Sequence, residues 1–306
     1  MAQTPNLKVT IGTLTLPNPV LVCSGTYGFG EEFADIIDIT KLGGIITKSI
    51  TLRPKKGNPP QRIVETPSGM LNAIGLQNPG IDGFIKDKLP FLKKLKIPVI
   101  VNIAGDTPDE YAELARRVES LGVAAALELN ISCPNVKKGG IAFGIDPHVT
   151  FEVVSGVRKA TRLPVVTKLS PNVTDIVFLA KVAIDAGSDA LSLINTLLGM
   201  SIDIQKMRPH IANITGGLSG PAIRPVAVRM IWQVARTYDI PIIGMGGVED
   251  AASAVELLLA GASAVSVGTA NFYNPRAPLE IVDGIRKYLV EKRIEDVNEL
   301  RKSLKV

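Results

Sequence analysis

Eight short apolar runs, rich in β-branched residues and each followed by a turn and a helix-like segment, constrain this chain more than any other feature. They read PVLVCSG at 19–25, GIITKS at 44–49, PVIVNIAG at 98–105 and AALELNIS at 125–132. PVVTKLS at 164–170, ALSLINT at 190–196, PIIGMGG at 241–247 and AVSVGTA at 264–270 complete the set. Runs that are continuously apolar, without strict alternation, describe parallel strands buried on both faces. Helices fill the gaps, one opening at Thr107-Pro108-Asp109-Glu110 as a capping box with Pro in the first position. The pairs Leu42-Gly43, Leu121-Gly122, Ala186-Gly187 and Ala260-Gly261 read as helix C-termini in which Gly supplies a left-handed cap. Closure of eight such units into an α/β fold of the (β/α)8 TIM-barrel type is the economical solution. An open doubly wound sheet would need edge strands, and no run is short or charged enough to be one.

Two segments exceed the minimal repeat. Residues 7–16, LKVTIGTLTL, read as an N-terminal β-hairpin turning at Gly12 and capping the barrel bottom, and residues 197–220 form a long insertion after strand six. The stretch 278–306 alternates Lys, Arg and Glu with Ile, Leu and Val and reads as one amphipathic closing helix. Trp232 is assigned to packing. No linker-like or low-complexity segment divides the chain, so residues 1–306 are expected to form a single domain.

Composition removes several functional classes. Lys+Arg 34 against Asp+Glu 29 gives a diffuse +5, and 5% aromatic residues leave few stacking platforms, so nucleic acid is not an expected partner. Two cysteines, Cys23 and Cys133, and two histidines, His148 and His210, allow neither a disulfide framework nor a metal cluster, and point to a reduced, cytoplasmic setting. Residues 1–19 lack the apolar core of a signal peptide, and no run approaches the roughly 18 apolar residues of a membrane span.

The chemistry of a barrel of this type sits at the C-terminal ends of its strands. Residues two apart share a strand face, so the pairs Ile46/Lys48, Ile100/Asn102, Val166/Lys168 and Leu193/Asn195 each run from apolar to polar toward one mouth, and Asn130 ends strand four in the same way. Such a ring of amides and ammonium groups suits a planar, hydrogen-bonding, anionic ligand. Strands seven and eight end in Gly244-Met245-Gly246-Gly247 and Gly268-Thr269, where main-chain N–H groups can approach a phosphate. Neither a P-loop nor a Rossmann fingerprint occurs. Cys133, in Asn130-Ile131-Ser132-Cys133-Pro134-Asn135, precedes the basic loop Val136-Lys137-Lys138-Gly139-Gly140 and is a candidate nucleophile or base. Cys23, inside an apolar run, is assigned to packing.

NISCPN, the run Asn72-Ala73-Ile74-Gly75-Leu76-Gln77-Asn78, the strand end Lys168-Leu169-Ser170-Pro171-Asn172 and the GMGG/GTA pair together resemble class 1 dihydroorotate dehydrogenase over essentially the whole chain. The resemblance implies an FMN-binding barrel that oxidises dihydroorotate to orotate in de novo pyrimidine biosynthesis. Cys133 would then be the general base at C5 while a hydride leaves C6 for the flavin. Asn72, Ala73, Ile74, Gly75 and Leu76, with Asn130, Asn135, Asn195 and Thr196, would hold the pyrimidine, and Lys48 its carboxylate. Lys168 would lie near the flavin's N1/O2 edge. Ser24, Gly25, Lys48, Ser49, Asn102, Asn130, Ile194 and Gly220 would line the FMN, with Gly246, Gly247, Gly268 and Thr269 at its phosphate. SGTYGFG at 24–30, LQNPG at 76–80 and KKGGIAFG at 137–144 look like the 1B type, which passes electrons to NAD+ through a separate subunit bearing FAD and a [2Fe-2S] cluster. That type implies a homodimer core within a heterotetramer. Cys23 stands where relatives commonly have Ala.

Three other readings remain open: a fumarate-using 1A-type enzyme, a dihydropyrimidine dehydrogenase-like subunit, and a phosphate-binding isomerase or lyase without flavin. Lys48, poised for a carboxylate, weighs against the second. The absence of a convincing acid/base carboxylate pair weighs against the third.

Overall fold

The computed structural model describes residues 4–131 and 145–305. Its centre is a closed parallel barrel whose strands follow one another in chain order. They are β1 (Val20–Val22), β2 (Gly44–Ile46), β3 (Val99–Ile103), β4 (Ala126–Asn130), β5 (Val165–Lys168), β6 (Ala190–Leu193), β7 (Ile242–Met245) and β8 (Ala264–Val267). Every residue in these strands is buried, as two covered faces require. Each strand stops before its apolar run does, and the surplus residues, Lys48 and Ser49 after β2 or Ile194 to Thr196 after β6, turn outward to build the mouth.

Outside the barrel, Val99, Val101, Leu127 and Leu129 pack against Leu114, Val118, Val153 and Val157 of the helices Pro108–Ser120 and Pro147–Ala160. Thr107 caps the first of these by accepting from Glu110 N, but the Glu110 carboxylate accepts from Asp106 N at 2.7 Å and so does not complete the expected capping box. Helices do not fill every gap. Between β1 and β2 the chain makes two 3-10 turns, Glu31–Phe33 and Ile39–Lys41.

Gly122, Gly187 and Gly261 adopt the expected left-handed conformation, with φ of 64°, 105° and 117°. Gly43 does not, because it follows a 3-10 turn and its constraint is steric: a Cβ there would lie 2.2 Å from the Asn18 carbonyl oxygen. The segments Val9–Ile11 and Leu14–Leu16 form the expected hairpin, with Gly12 at φ 58° in its turn. Leu7, Val9, Ile11 and Leu16 join the same apolar core as Val20 and Leu21, and the turn abuts Asp189, just before β6. That places the hairpin across the barrel bottom.

The insertion after β6 is more structured than its sequence suggests. Leu197–Met200 and Thr215–Ser219 pair with each other and with a hairpin made of Ile63–Thr66 and Gly69–Asn72, giving a four-stranded antiparallel sheet beside the mouth. The 278–306 stretch is not one helix: Ala277–Lys292 ends at Arg293 in a left-handed conformation (φ 58°), and a 3-10 turn, Val297–Lys302, follows under an Asp296 cap. Among the described residues, no helix is long and apolar enough to cross a membrane.

Candidate active site

A cavity of about 310 Å³ opens at the C-terminal ends of the strands, between the barrel mouth and the four-stranded sheet. Strand register explains which side chains reach it. Asn130 on β4 pairs with Lys168 on β5, which pairs with Ser192 on β6, and paired residues in a parallel ladder point to the same side. Asn102 pairs with Glu128 one layer deeper.

The inward phase expected for β2 to β5 is therefore the observed one, whereas that for β6 is corrected. Ser192, and not Leu193, faces the barrel axis, since its hydroxyl donates to Glu128 Oε2 at 2.7 Å. A strand buried on both faces has no alternation from which to read its phase. Asn195 nevertheless lines the cavity, because the chain has left the strand by that point.

Lys48, Asn130, Lys168 and Asn195 all line the cavity. Asn130 is held on three sides. Its Nδ2 donates to Ser49 Oγ at 3.1 Å, its Oδ1 accepts from Asn195 Nδ2 at 3.4 Å, and its main-chain carbonyl accepts from Tyr111 Oη at 2.8 Å. The Asn195 Oδ1 accepts from Thr196 N at 2.8 Å. Asn102 is fully buried and lies below the lining, donating to Glu128 Oε1 at 2.5 Å.

The opposite wall comes from the four-stranded sheet and the loop after it, with Asn72, Ile74, Gly75 and Leu76 on the lining. Ala73 is fully buried and contributes through its backbone: its carbonyl accepts from Asn58 Nδ2 at 2.9 Å, and the Ile74 carbonyl accepts from Asn58 N at 2.9 Å. The same wall presents Arg62, which no motif in the sequence singled out. It donates to Gln77 Oε1 and to the Asn58 carbonyl, and it stands near enough to Lys48 to matter electrostatically. Burial first, and the Arg62 charge second, hold the Lys48 ammonium below its ordinary pKa, with Glu32 acting in the opposite sense.

At the far end of the cavity lie Gly220, Gly246, Gly247, Gly268 and Thr269. Gly246 and Gly247 have φ of 117° and 78°, and a Cβ on Gly247 would meet Arg224 Cβ at 2.6 Å, so the turn is reserved for glycine. Thr269 Oγ1 donates to Ser219 Oγ at 2.9 Å, which ties this end to the four-stranded sheet. Ser24, Gly25, Ser49 and Ile194 complete the lining expected from sequence. A Cβ on Gly25 would meet no protein atom within 4 Å, so a side chain there would take up open cavity space.

Cys23 packs against the core as expected and also reaches the lining, where its thiol donates to the Ser266 carbonyl at 3.5 Å. Burial pushes that thiol's pKa up, with Lys168 opposing, so Cys23 is held as the neutral thiol. Cys133 and Asn135 lie outside the described residues.

Glu128, like Arg62, is a side chain of this region that sequence reasoning passed over. It is fully buried in the barrel, accepts from Asn102 and Ser192, and has Lys168 Nζ 3.9 Å from its Oε1. The signal was available: Glu128 is two residues before Asn130 and hence in its phase, a charge inside an otherwise apolar run.

Comparison with known proteins is consistent along the whole chain. The family model described as Dihydroorotate dehydrogenase matches residues 6–289. A Geotalea uraniireducens protein named "Dihydroorotate dehydrogenase B (NAD(+)), catalytic subunit" is 59% identical over 97% of each chain. A Geobacter sulfurreducens protein of the same name is 56% identical over 99% of this chain and 100% of that one. Among solved structures, DHODH from Eimeria tenella in complex with ferulenol aligns with a TM-score of 0.81 over 96% of this chain and 87% of that one, at 24% identity, and shares the fold. With the family's pattern running from the bottom hairpin into the last long helix, the chain belongs to the dihydroorotate dehydrogenase family.

Proposed function

We propose that the protein is the catalytic subunit of an NAD+-linked dihydroorotate dehydrogenase, oxidising (S)-dihydroorotate to orotate in pyrimidine biosynthesis and working as a single FMN-binding domain over residues 1–306. The observation that carries this reading is the division of one cavity into two ends, amides with ammonium and guanidinium groups at one and glycine turns at the other. The open space at Gly25 and the left-handed turn at Gly246 and Gly247 fit a planar ring system that ends in a phosphate. Bound FMN supplies the hydride acceptor.

The reaction removes a hydride from C6 and a proton from C5 of dihydroorotate, and the C5–C6 bond becomes a double bond. Lys48, with Arg62 beside it, holds the substrate carboxylate. Asn72, Asn130 and Asn195 orient the ring through their amides, and the hydrogen bonds that tie Asn130 to Ser49, Asn195 and Tyr111 hold it in place before substrate arrives. Cys133 takes the C5 proton, and Asn135 contacts the substrate beside it. Main-chain N–H groups at Gly246, Gly247, Gly268 and Thr269 hold the phosphate. Electrons leave to NAD+ through a separate subunit carrying FAD and a [2Fe-2S] cluster, docked on a homodimer core, and the assembly works in the cytoplasm.

The experiment is direct. Protein reconstituted with FMN should be yellow, and anaerobic addition of dihydroorotate should bleach its visible flavin absorbance with stoichiometric formation of orotate. Protein that stays colourless after FMN addition would overturn the reading. Full-rate fumarate reduction by the isolated chain would replace the NAD+-linked assignment with the 1A type.

A further inference from the structure

Glu128 has no part in the proton and hydride transfers proposed above, yet it occupies the centre of the barrel. It is fully buried on β4, two residues below Asn130, with both carboxylate oxygens engaged: Oε1 by Asn102 Nδ2 at 2.5 Å and Oε2 by Ser192 Oγ at 2.7 Å. Lys168, itself only 7% exposed and lining the cavity, places Nζ 3.9 Å from Oε1. A carboxylate at that depth carries a desolvation cost of several kcal/mol, which two hydrogen bonds and an ammonium together can offset. The two donors come from β3 and β6 and the ammonium from β5, so the charge is anchored from three strands.

We propose that Glu128 is a positioning residue for the redox step: it fixes the Lys168 ammonium at the cavity wall and offsets part of its charge, and so sets the reduction potential of the flavin bound there. The inference rests on the reading of this cavity as the FMN site. An ammonium facing the flavin favours electron uptake, and a carboxylate directly behind it opposes that effect. The low-dielectric interior makes both effects strong. The pair thus presents a damped positive charge to the cavity.

The test is the two-electron midpoint potential of bound FMN in Glu128→Gln and Glu128→Asp. Glu128→Gln keeps the shape and removes the charge, and should shift the equilibrium at least tenfold toward the reduced form, about 30 mV for a two-electron couple. Glu128→Asp keeps the charge and removes a methylene, and should shift it less than threefold. A packing role would reverse that order, since Asp disturbs packing more than Gln does. A Glu128→Gln potential within twofold of the wild-type equilibrium, or an Asp effect equal to or larger than the Gln effect, would overturn the proposal.

A second measurement needs no flavin. In thermal melts of the apoprotein, the double variant Glu128→Gln/Lys168→Gln should be more stable than Lys168→Gln alone, because the single change leaves a carboxylate buried without its cation. A double variant no more stable than Lys168→Gln would overturn the pairing. Failure of the wild-type protein to bind FMN would remove the flavin reading while leaving the coupling of Glu128 to Lys168 to be decided by the melts.

Discussion

The hydroxyl of Tyr111, on the Pro108–Ser120 helix outside the barrel, donates to the main-chain carbonyl of Asn130 at the end of β4. The outer layer thereby grips a strand end whose side chain faces the cavity. Tyr111→Phe should cost about 1–2 kcal/mol of stability by leaving a buried carbonyl without that donor. It should weaken both orotate and FMN binding, because Asn130 loses its outer support. Urea unfolding and parallel titrations of the two ligands would check both effects, and unchanged affinity for both ligands would argue against a role in holding Asn130.

Cys133→Ala should reduce turnover by about two to four orders of magnitude, the range of a lost general base, while FMN stays bound. Steady-state rates and the flavin spectrum of the variant would decide the point. Turnover at the wild-type rate would remove Cys133 from the base role.

Orotate affinity should depend on pH through Lys48. Its pKa lies below the usual 10.5 because burial and Arg62 disfavour the ammonium. The charged form is the one that pairs with a carboxylate, so affinity is full below the lowered pKa and falls as pH rises through it, sooner than for an exposed lysine. Lys48→Met should weaken binding throughout and flatten that alkaline limb. Orotate titrations across the alkaline range would show it, and an unchanged limb in the variant would assign the titration to another group.

Gly43→Ala should destabilise the fold by about 3 kcal/mol, because its Cβ would be forced to within 2.2 Å of the Asn18 carbonyl oxygen just before β2. The site is at the opposite end of the strand from the mouth, so FMN affinity measured below the unfolding transition should be unchanged. A urea midpoint equal to that of the wild type would contradict the steric account.

The barrel was legible because its strands are buried on both faces and all but β5 are preceded or followed by glycine punctuation, a signal that survives without any homologue. The mouth was legible in Lys48, Asn130 and Lys168, polar residues that end apolar runs. β6 resisted for the same reason that it was recognisable: in Ala190-Leu191-Ser192-Leu193 both faces are buried, so the inward-facing residue cannot be chosen by alternation. The sheet beside the mouth was hidden because Ile63–Thr66 and Gly69–Asn72 are half exposed and short, and their pairing with Leu197–Met200 and Thr215–Ser219 joins segments far apart in the chain. Pro67-Ser68-Gly69 between two apolar stretches was the local hint of that hairpin. Arg62 went unnoticed along with the strand it introduces.

The bottom of the barrel couples the two extremes of the sequence: β1 lies in register against β8, and the Asn6 side chain donates to Asp296 at 2.8 Å across 290 positions. During synthesis the edge of β1 therefore waits unpaired until nearly the whole polypeptide has emerged, so closure is a late, long-range event that must compete with intermolecular pairing of the waiting edge.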